Sequence, residues 1–201
     1  TLAAGQAPQQ DLADALDNIF NHPNVGPFIS KQLIQKLVTS NPSPQYVARV
    51  TAVFNNDGSG KRGNLGEVVK AILLDAEARP AAPTATTGKV KEPLLRLTQM
   101  WRAYGARAAS GQYRVGNVNA AFGQGPLQSP SVFNFFSPFY APPGEVSDQG
   151  LVSPEMQIAT EYLNTTTGNA FYNYVFAWNT TATNPAANSV LLDYTAELPL
   201  V

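Results

Sequence analysis

Apolar residues recur at helix pitch through the first two-thirds of the chain, and this constrains the fold more than any other feature. Leu12, Leu16, Ile19 and Phe20 make one stripe. Ile29, Leu33 and Leu37 make a second, with Ile34 and Val38 beside them. Tyr46, Val47, Val50, Val53 and Phe54 follow, behind Ser43 as cap and Pro44 at the first helical position. Leu65, Val68, Val69, Ile72 and Leu73 show the cleanest spacing. An apolar stripe must be buried against a partner, so these four helices are expected to pack on one another over residues 1–79.

Arg79-Pro80 ends this part, and the Ala, Pro and Thr of residues 80–90 read as an exposed connection. Residues 91–201 carry further helices and one long loop. Leu94, Leu97, Trp101 and Tyr104 place a stripe on the segment from Glu92 to Arg107. Ser153-Pro154-Glu155 reads as a helix start, with Tyr162 and Leu163 on that helix. Phe171, Tyr174, Val175 and Trp178 share a face on the next one. The tail from Asn179 is polar, and its apolar end, from Leu191 and Leu192 to Val201, is expected to dock as an extended arm. The predicted fold is all-α: a multi-helix bundle of six or seven helices in a single helical region spanning 1–201.

Residues 111–150 break the pattern. They hold Gly, Pro, Gln and Ser around an aromatic group: Phe133, Phe135, Phe136, Phe139 and Tyr140. A loop of this length is functional, disordered or packed as a wrap. So many aromatics argue against disorder, and an ordered segment lying across helices is expected. Its aromatics either pin the loop down or line a groove for a sugar ring or another apolar-faced ligand. Pinning is the favoured reading.

Charged residues make up 13% of the chain, about half the usual share, and the net charge is −1. Lys and Arg form no basic stripe, which speaks against a nucleic-acid partner. No apolar run is long enough for a membrane span. Cysteine is absent, which excludes disulfides and thiolate chemistry. A surface made polar by Asn, Gln, Ser and Thr suits a periplasmic or extracellular setting.

The motifs supply little chemistry. His22 is the single histidine, so a triad would need it with Ser40 or Ser43 as nucleophile and Asp17 or Asp75 as orienter. The alternative is a histidine that hydrogen-bonds the turn between two helices, where Pro23 fixes the turn and Asn24 caps. Asn55, Asp57 and Ser59 follow the alternate spacing of a calcium loop, but the twelfth place holds Gly66 instead of glutamate, so a plain Gly-rich turn is the better account. Gly123-Gln124-Gly125 follows no predicted strand and is no dinucleotide loop. No cofactor is expected. Asp148 and Glu155 are the weak candidates for acid/base chemistry, although Glu155 also suits a helix N-terminus. Asp75, Glu77 and Arg79 equally suit a surface charge cluster with Arg49.

The run from Asn21-His22-Pro23-Asn24-Val25-Gly26-Pro27-Phe28-Ile29 through Leu37-Val38-Thr39-Ser40-Asn41-Pro42-Ser43-Pro44 resembles a signature of the bacterial family known as domain of unknown function 1800. Tyr46 to Phe54, Gly63 to Arg79, and Gly125-Pro126-Leu127-Gln128-Ser129-Pro130-Ser131-Val132-Phe133-Asn134 up to Pro138 extend the likeness to about residues 10–175. The resemblance implies a longer protein, whose N-terminal region would be a partner of this part, and it implies export. It supplies no catalytic residues. Two functions therefore stand open at the level of sequence. One is an exported protein that binds an extracellular polymer or a protein partner. The other is a hydrolase of an extracellular polysaccharide, with two carboxylates, or His22 and a carboxylate, converging beside the aromatic loop.

Overall fold

The computed structural model describes residues 4–84, 86–113, 116, 118–177 and 189–197. Trp178, Asn179 and Val201 lie outside the described residues. Among those described, the chain is helical, and its one β-bridge pairs Arg107 with Leu191. The described residues hold eight α-helices: α1 Pro8–Phe20, α2 Val25–Leu37, α3 Pro44–Asn55, α4 Leu65–Leu74, α5 Pro93–Ala103, α6 Val118–Phe122, α7 Glu145–Asp148 and α8 Glu161–Tyr172. The chain divides into two compact units, Thr1–Lys89 and Val90–Val201.

The core of the first unit is Ile34, Tyr46, Val50, Phe54, Val68 and Ile72, drawn from α2, α3 and α4. Fully burying an aliphatic or aromatic side chain contributes roughly 2 kcal/mol, so this cluster dominates the unit's stability. Helix α3 begins as its sequence dictates: Ser43 Oγ accepts from Tyr46 N at 3.1 Å, and Pro44 sits at the first turn. Helices α2 and α3 approach closely because Gly26 has no side chain. A Cβ there would lie 3.0 Å from Asn55 Oδ1 and 3.1 Å from Thr51 Cγ2.

Two expectations need correction here. The buried residues of α2 are Gly26, Ser30, Ile34 and Gln35, whereas Leu37 is exposed. A glycine and a serine carry no apolar signal, yet they allow the close approach that puts Ile34 inside. Helix α1 does not join the packed set. It buries no residue, and Leu12, Leu16 and Ile19 face outward. Its C-terminal end is held instead: the Phe20 ring lies 6.2 Å from that of Phe54. The Arg62 guanidinium covers both rings and donates to Phe20 O and His22 O.

In the second unit, Leu97 of α5, Phe122 of α6, and Ala170 and Tyr174 from the end of α8 onward form the core. Edge-on contact between Phe122 and Phe171, 5.6 Å apart, joins α6 to α8. The expected helix from Ser153 is a short 3-10 turn, Pro154–Ile158, whose Ser153 side chain makes no cap bond. Helix α8 starts later, where Thr160 Oγ1 accepts from Leu163 N at 3.2 Å. It ends in a π-helical turn, Asn173–Ala177. Between residues 111 and 150 the two short helices α6 and α7 interrupt the loop; with five and four residues they are too brief to show a period. Of the expected arm, residues 191–193 dock in extended form: Arg107 and Leu191 exchange two backbone hydrogen bonds of 2.8 Å, and Asp193 N donates to Tyr104 O at 2.8 Å; residues 198–201 lie outside the described residues.

Candidate functional site

The segment from Gly123 to Tyr140 is built on fixed points. Gly123 has φ 64°, and a Cβ there would stand 2.4 Å from Leu163 Cδ1, so only glycine lets the chain turn against α8. Gln124 is buried; its amide nitrogen donates to the Glu92 carboxylate and its oxygen accepts from Leu94 N. Asn119 Nδ2 donates to Gln128 Oε1 at 2.5 Å. Further on, Ser137 N donates to Gln157 Oε1 at 2.6 Å, and Tyr140 O accepts from Ser153 N at 2.8 Å. Phe136, at 5% exposure, is the ring that pins the strap.

Between these anchors the strap turns apolar groups outward. Gln128 N donates to Gly125 O at 3.1 Å, closing a turn with Pro126 second and Leu127 third. Leu127 carries φ 58° with its side chain wholly exposed. A positive φ is ordinary for glycine or asparagine but strained for leucine. Val132 is exposed, and Phe133 is 80% exposed, just before Asn134 at φ 73°. Phe135 and Tyr140 are half-buried, and Phe139 is exposed. The five aromatics thus divide between pinning and display. Leu127 and Val132 join the displayed set without having been singled out as ligand-binding residues. The signal for them was aliphatic residues in a stretch, 115–144, that has no charge.

The other candidate residues are dispersed. His22 is exposed, and its Nδ1 accepts from Asn24 N at 3.2 Å across the turn. Asn24 makes no side-chain cap. Ser43 Oγ donates to Glu77 Oε2 at 2.7 Å, so that hydroxyl is paired with a carboxylate rather than with His22. Asp148 is exposed at the end of α7, whereas Glu155 is 2% exposed in the 3-10 turn. Neither lines the cleft of about 320 Å³ bounded by Thr39, Ser43, Glu77 and Thr84, nor that of about 340 Å³ beside Trp101 and Tyr113.

Asp75 and Glu77 do converge, on Arg49. The guanidinium makes two bonds to Asp75, of 2.7 and 2.8 Å, and lies 3.6 Å from Glu77. Hydrogen bonding from Arg49 holds the Asp75 carboxyl below its ordinary range. A carboxylate so held is a poor proton donor. Both Glu77 oxygens also accept from Ser43, which staples the 3-10 turn Ala76–Ala78 to the start of α3.

The loop around Asp57 is occupied by its own donors. Asp57 Oδ1 accepts from Ser59 N, Ser59 Oγ and Lys61 N, and Oδ2 accepts from Asn64 Nδ2 at 2.7 Å. Asn56 Oδ1 takes Gly58 N and Gly60 N, and Arg62 reaches Asn55 Oδ1. The bonds that Asp57 itself accepts, led by that from Asn64 and followed by those from Ser59 and Lys61, push its carboxyl far below its ordinary range. The described residues contain no group of three His, Cys, Asp or Glu placed to hold a metal ion, and no helix long and apolar enough to cross a membrane.

A family model described as "Protein of unknown function (DUF1800)" matches residues 1–198. The chain belongs to that family. No curated protein and no solved structure matches it.

Proposed function

We propose that this member of the DUF1800 family is an exported, non-catalytic binding module whose outward strap holds a protein partner. The observation that carries the reading is Leu127. Its backbone sits where leucine is disfavoured, and its side chain touches water. Neither local conformation nor burial within the chain favours leucine there. Strain kept at an exposed site supports a functional role for that site, and several exposed apolar groups on one strap support a docking surface where a single one would not. Val132 and Phe133 extend the display. Aliphatic groups on an uncharged strap favour a protein surface over a sugar polymer, which needs polar groups beside its ring faces. The polysaccharide-hydrolase alternative has less support, because Asp148 is exposed, Glu155 is buried, and neither lines the clefts described above. Export is supported by the low charge and the Asn-, Gln-, Ser- and Thr-rich composition.

Photo-crosslinking tests the reading. A benzophenone side chain at position 133 is expected to give one discrete protein adduct in the producing cells, and Leu127→Asn is expected to weaken that adduct while leaving the fold intact. A smear without a discrete adduct, or retention of the protein on a polysaccharide matrix that Phe133→Ser abolishes, would refute it.

A further inference from the structure

The first unit holds a cleft of about 320 Å³ whose chemistry differs from that of the strap. Five hydroxyls and one carboxylate line it, from Thr39, Ser43, Glu77, Thr84, Thr86 and Thr87. Val38, Ala78 and Pro80 add an apolar stretch. Most of the protons on the polar groups are already placed. Thr39 Oγ1 gives its one proton to the carbonyls of Thr86 and Gly88, 2.7 and 3.0 Å away. Ser43 Oγ donates to Glu77 Oε2 at 2.7 Å. The hydroxyls of Thr84, Thr86 and Thr87 spend two of their three protons on one another, at 3.3 and 2.8 Å. A carboxylate has about four lone-pair sites, and at Glu77 the N–H and hydroxyl of Ser43 take one each. The cleft therefore offers more acceptors than donors.

Charge points the same way. Among the described residues that line the cleft, Glu77 is the charged one. Arg49 makes both of its close bonds to Asp75 and stands 3.6 Å from Glu77, so two carboxylates share one guanidinium. Lys89 follows Gly88 in the chain, but its ammonium donates to Lys36 O at 3.1 Å and does not line the cleft. A ligand that answers both surpluses brings a positive charge, several N–H donors and no acceptor, which describes a primary ammonium. Val38, Ala78 and Pro80 suit a short alkyl chain behind it. A neutral polyol carries no charge and adds its own acceptors to those already there. The geometry points to this cleft as a binding site for a primary alkylammonium group, carried by a free amine or by the lysine side chain of a peptide.

The test titrates the full chain with pentylammonium at pH 7 and follows backbone amide resonances. Those of Thr39, Glu77 and Gly88 are expected to shift saturably. Glu77→Gln is expected to weaken binding at least about tenfold, as loss of a hydrogen bond to a charged partner does. Thr84→Val lies at an exposed position, keeps the side-chain shape and is expected to weaken binding about threefold. Far-UV circular dichroism of both variants checks that the fold stands. N-acetyl-lysine methylamide and pentane-1,5-diamine separate the two sources: tighter binding of the first assigns the group to a peptide, and of the second to a free amine. The proposal is overturned if pentan-1-ol or pentyltrimethylammonium binds as well as pentylammonium, since one lacks the charge and the other the N–H donors. It is also overturned if calcium displaces the amine, if Glu77→Gln and Thr84→Val both bind normally, or if no amide around the cleft shifts saturably.

Discussion

The hydroxyl of Tyr46, buried in α3, donates to the carbonyl of Ile72 at 2.7 Å. That carbonyl belongs to the last turn of α4, where the helix has no further N–H to offer it. One phenol thus completes the hydrogen bonding of a neighbouring helix from inside the core. Tyr46→Phe leaves the ring in place and the carbonyl buried without a donor, so a loss of about 1–3 kcal/mol in unfolding free energy is expected. Urea unfolding at neutral pH measures it.

The same phenol predicts how stability changes in alkali. Burial, and then the charges of Asp75 and Glu77, push its pKa up to about 12. The folded protein therefore binds this proton more tightly than the unfolded chain does. The contribution is complete below the unfolded value of about 10 and is lost as pH rises through the folded one. The urea midpoint of the native protein is expected to fall between pH 9 and pH 11.5 by more than that of Tyr46→Phe. Equal slopes in the two proteins would show that Tyr46 titrates as it does in the unfolded chain.

Acid acts through Asp57 in the opposite sense. Its carboxyl is lowered by Asn64, Ser59 and Lys61, so the folded state holds the proton less tightly than the unfolded chain. The loop's contribution is present above the ordinary value of about 4 and declines as pH falls below it. Asp57→Asn is expected to be less stable than the native protein at pH 7, and the gap is expected to narrow toward pH 2. Thermal unfolding of both proteins across that range gives the comparison. A gap that stays constant would remove the carboxylate from the account.

Two glycines with positive φ separate strain from crowding. Gly58, at φ 92°, has open space where a Cβ would go, so Gly58→Ala is expected to cost only about 1 kcal/mol, for its backbone. Gly123, at φ 64°, would drive a Cβ to 2.4 Å from Leu163, so Gly123→Ala is expected to cost about 2–4 kcal/mol. Adding Leu163→Ala should recover part of the second cost and none of the first. Calorimetry of the two glycine variants, of Leu163→Ala alone and of the two double variants closes both cycles.

The core of the first unit was legible because Val50, Phe54, Val68 and Ile72 repeat at a period that only a buried helix face explains. Ser43-Pro44 likewise announced α3, as a cap and a first-turn proline do. The attitude of α1 was not legible. Its stripe is as periodic as the others, and periodicity states that a face is apolar without stating what lies against it. Ser153-Pro154-Glu155 misled for a related reason: the same residues start a 3-10 turn as readily as an α-helix, and the true cap, Thr160, lies seven positions on. At the candidate site the aromatic cluster was visible, but its division was not. Phe133 and Phe136 are three residues apart in a loop without a period, and only the anchors at Ser137 and Tyr140 decide which ring turns inward.

Arg62 gathers three oxygens, from Phe20, His22 and Asn55, around one cation. In many loop-and-helix joints that office is filled by a bound ion, whose hold depends on supply and yields to a chelator. Here the cation is tethered to the backbone at full occupancy. The joint between α1 and the body of its unit is therefore made by a cation that neither dilutes away from its oxygens nor is a substrate for a chelator, because it is part of the chain.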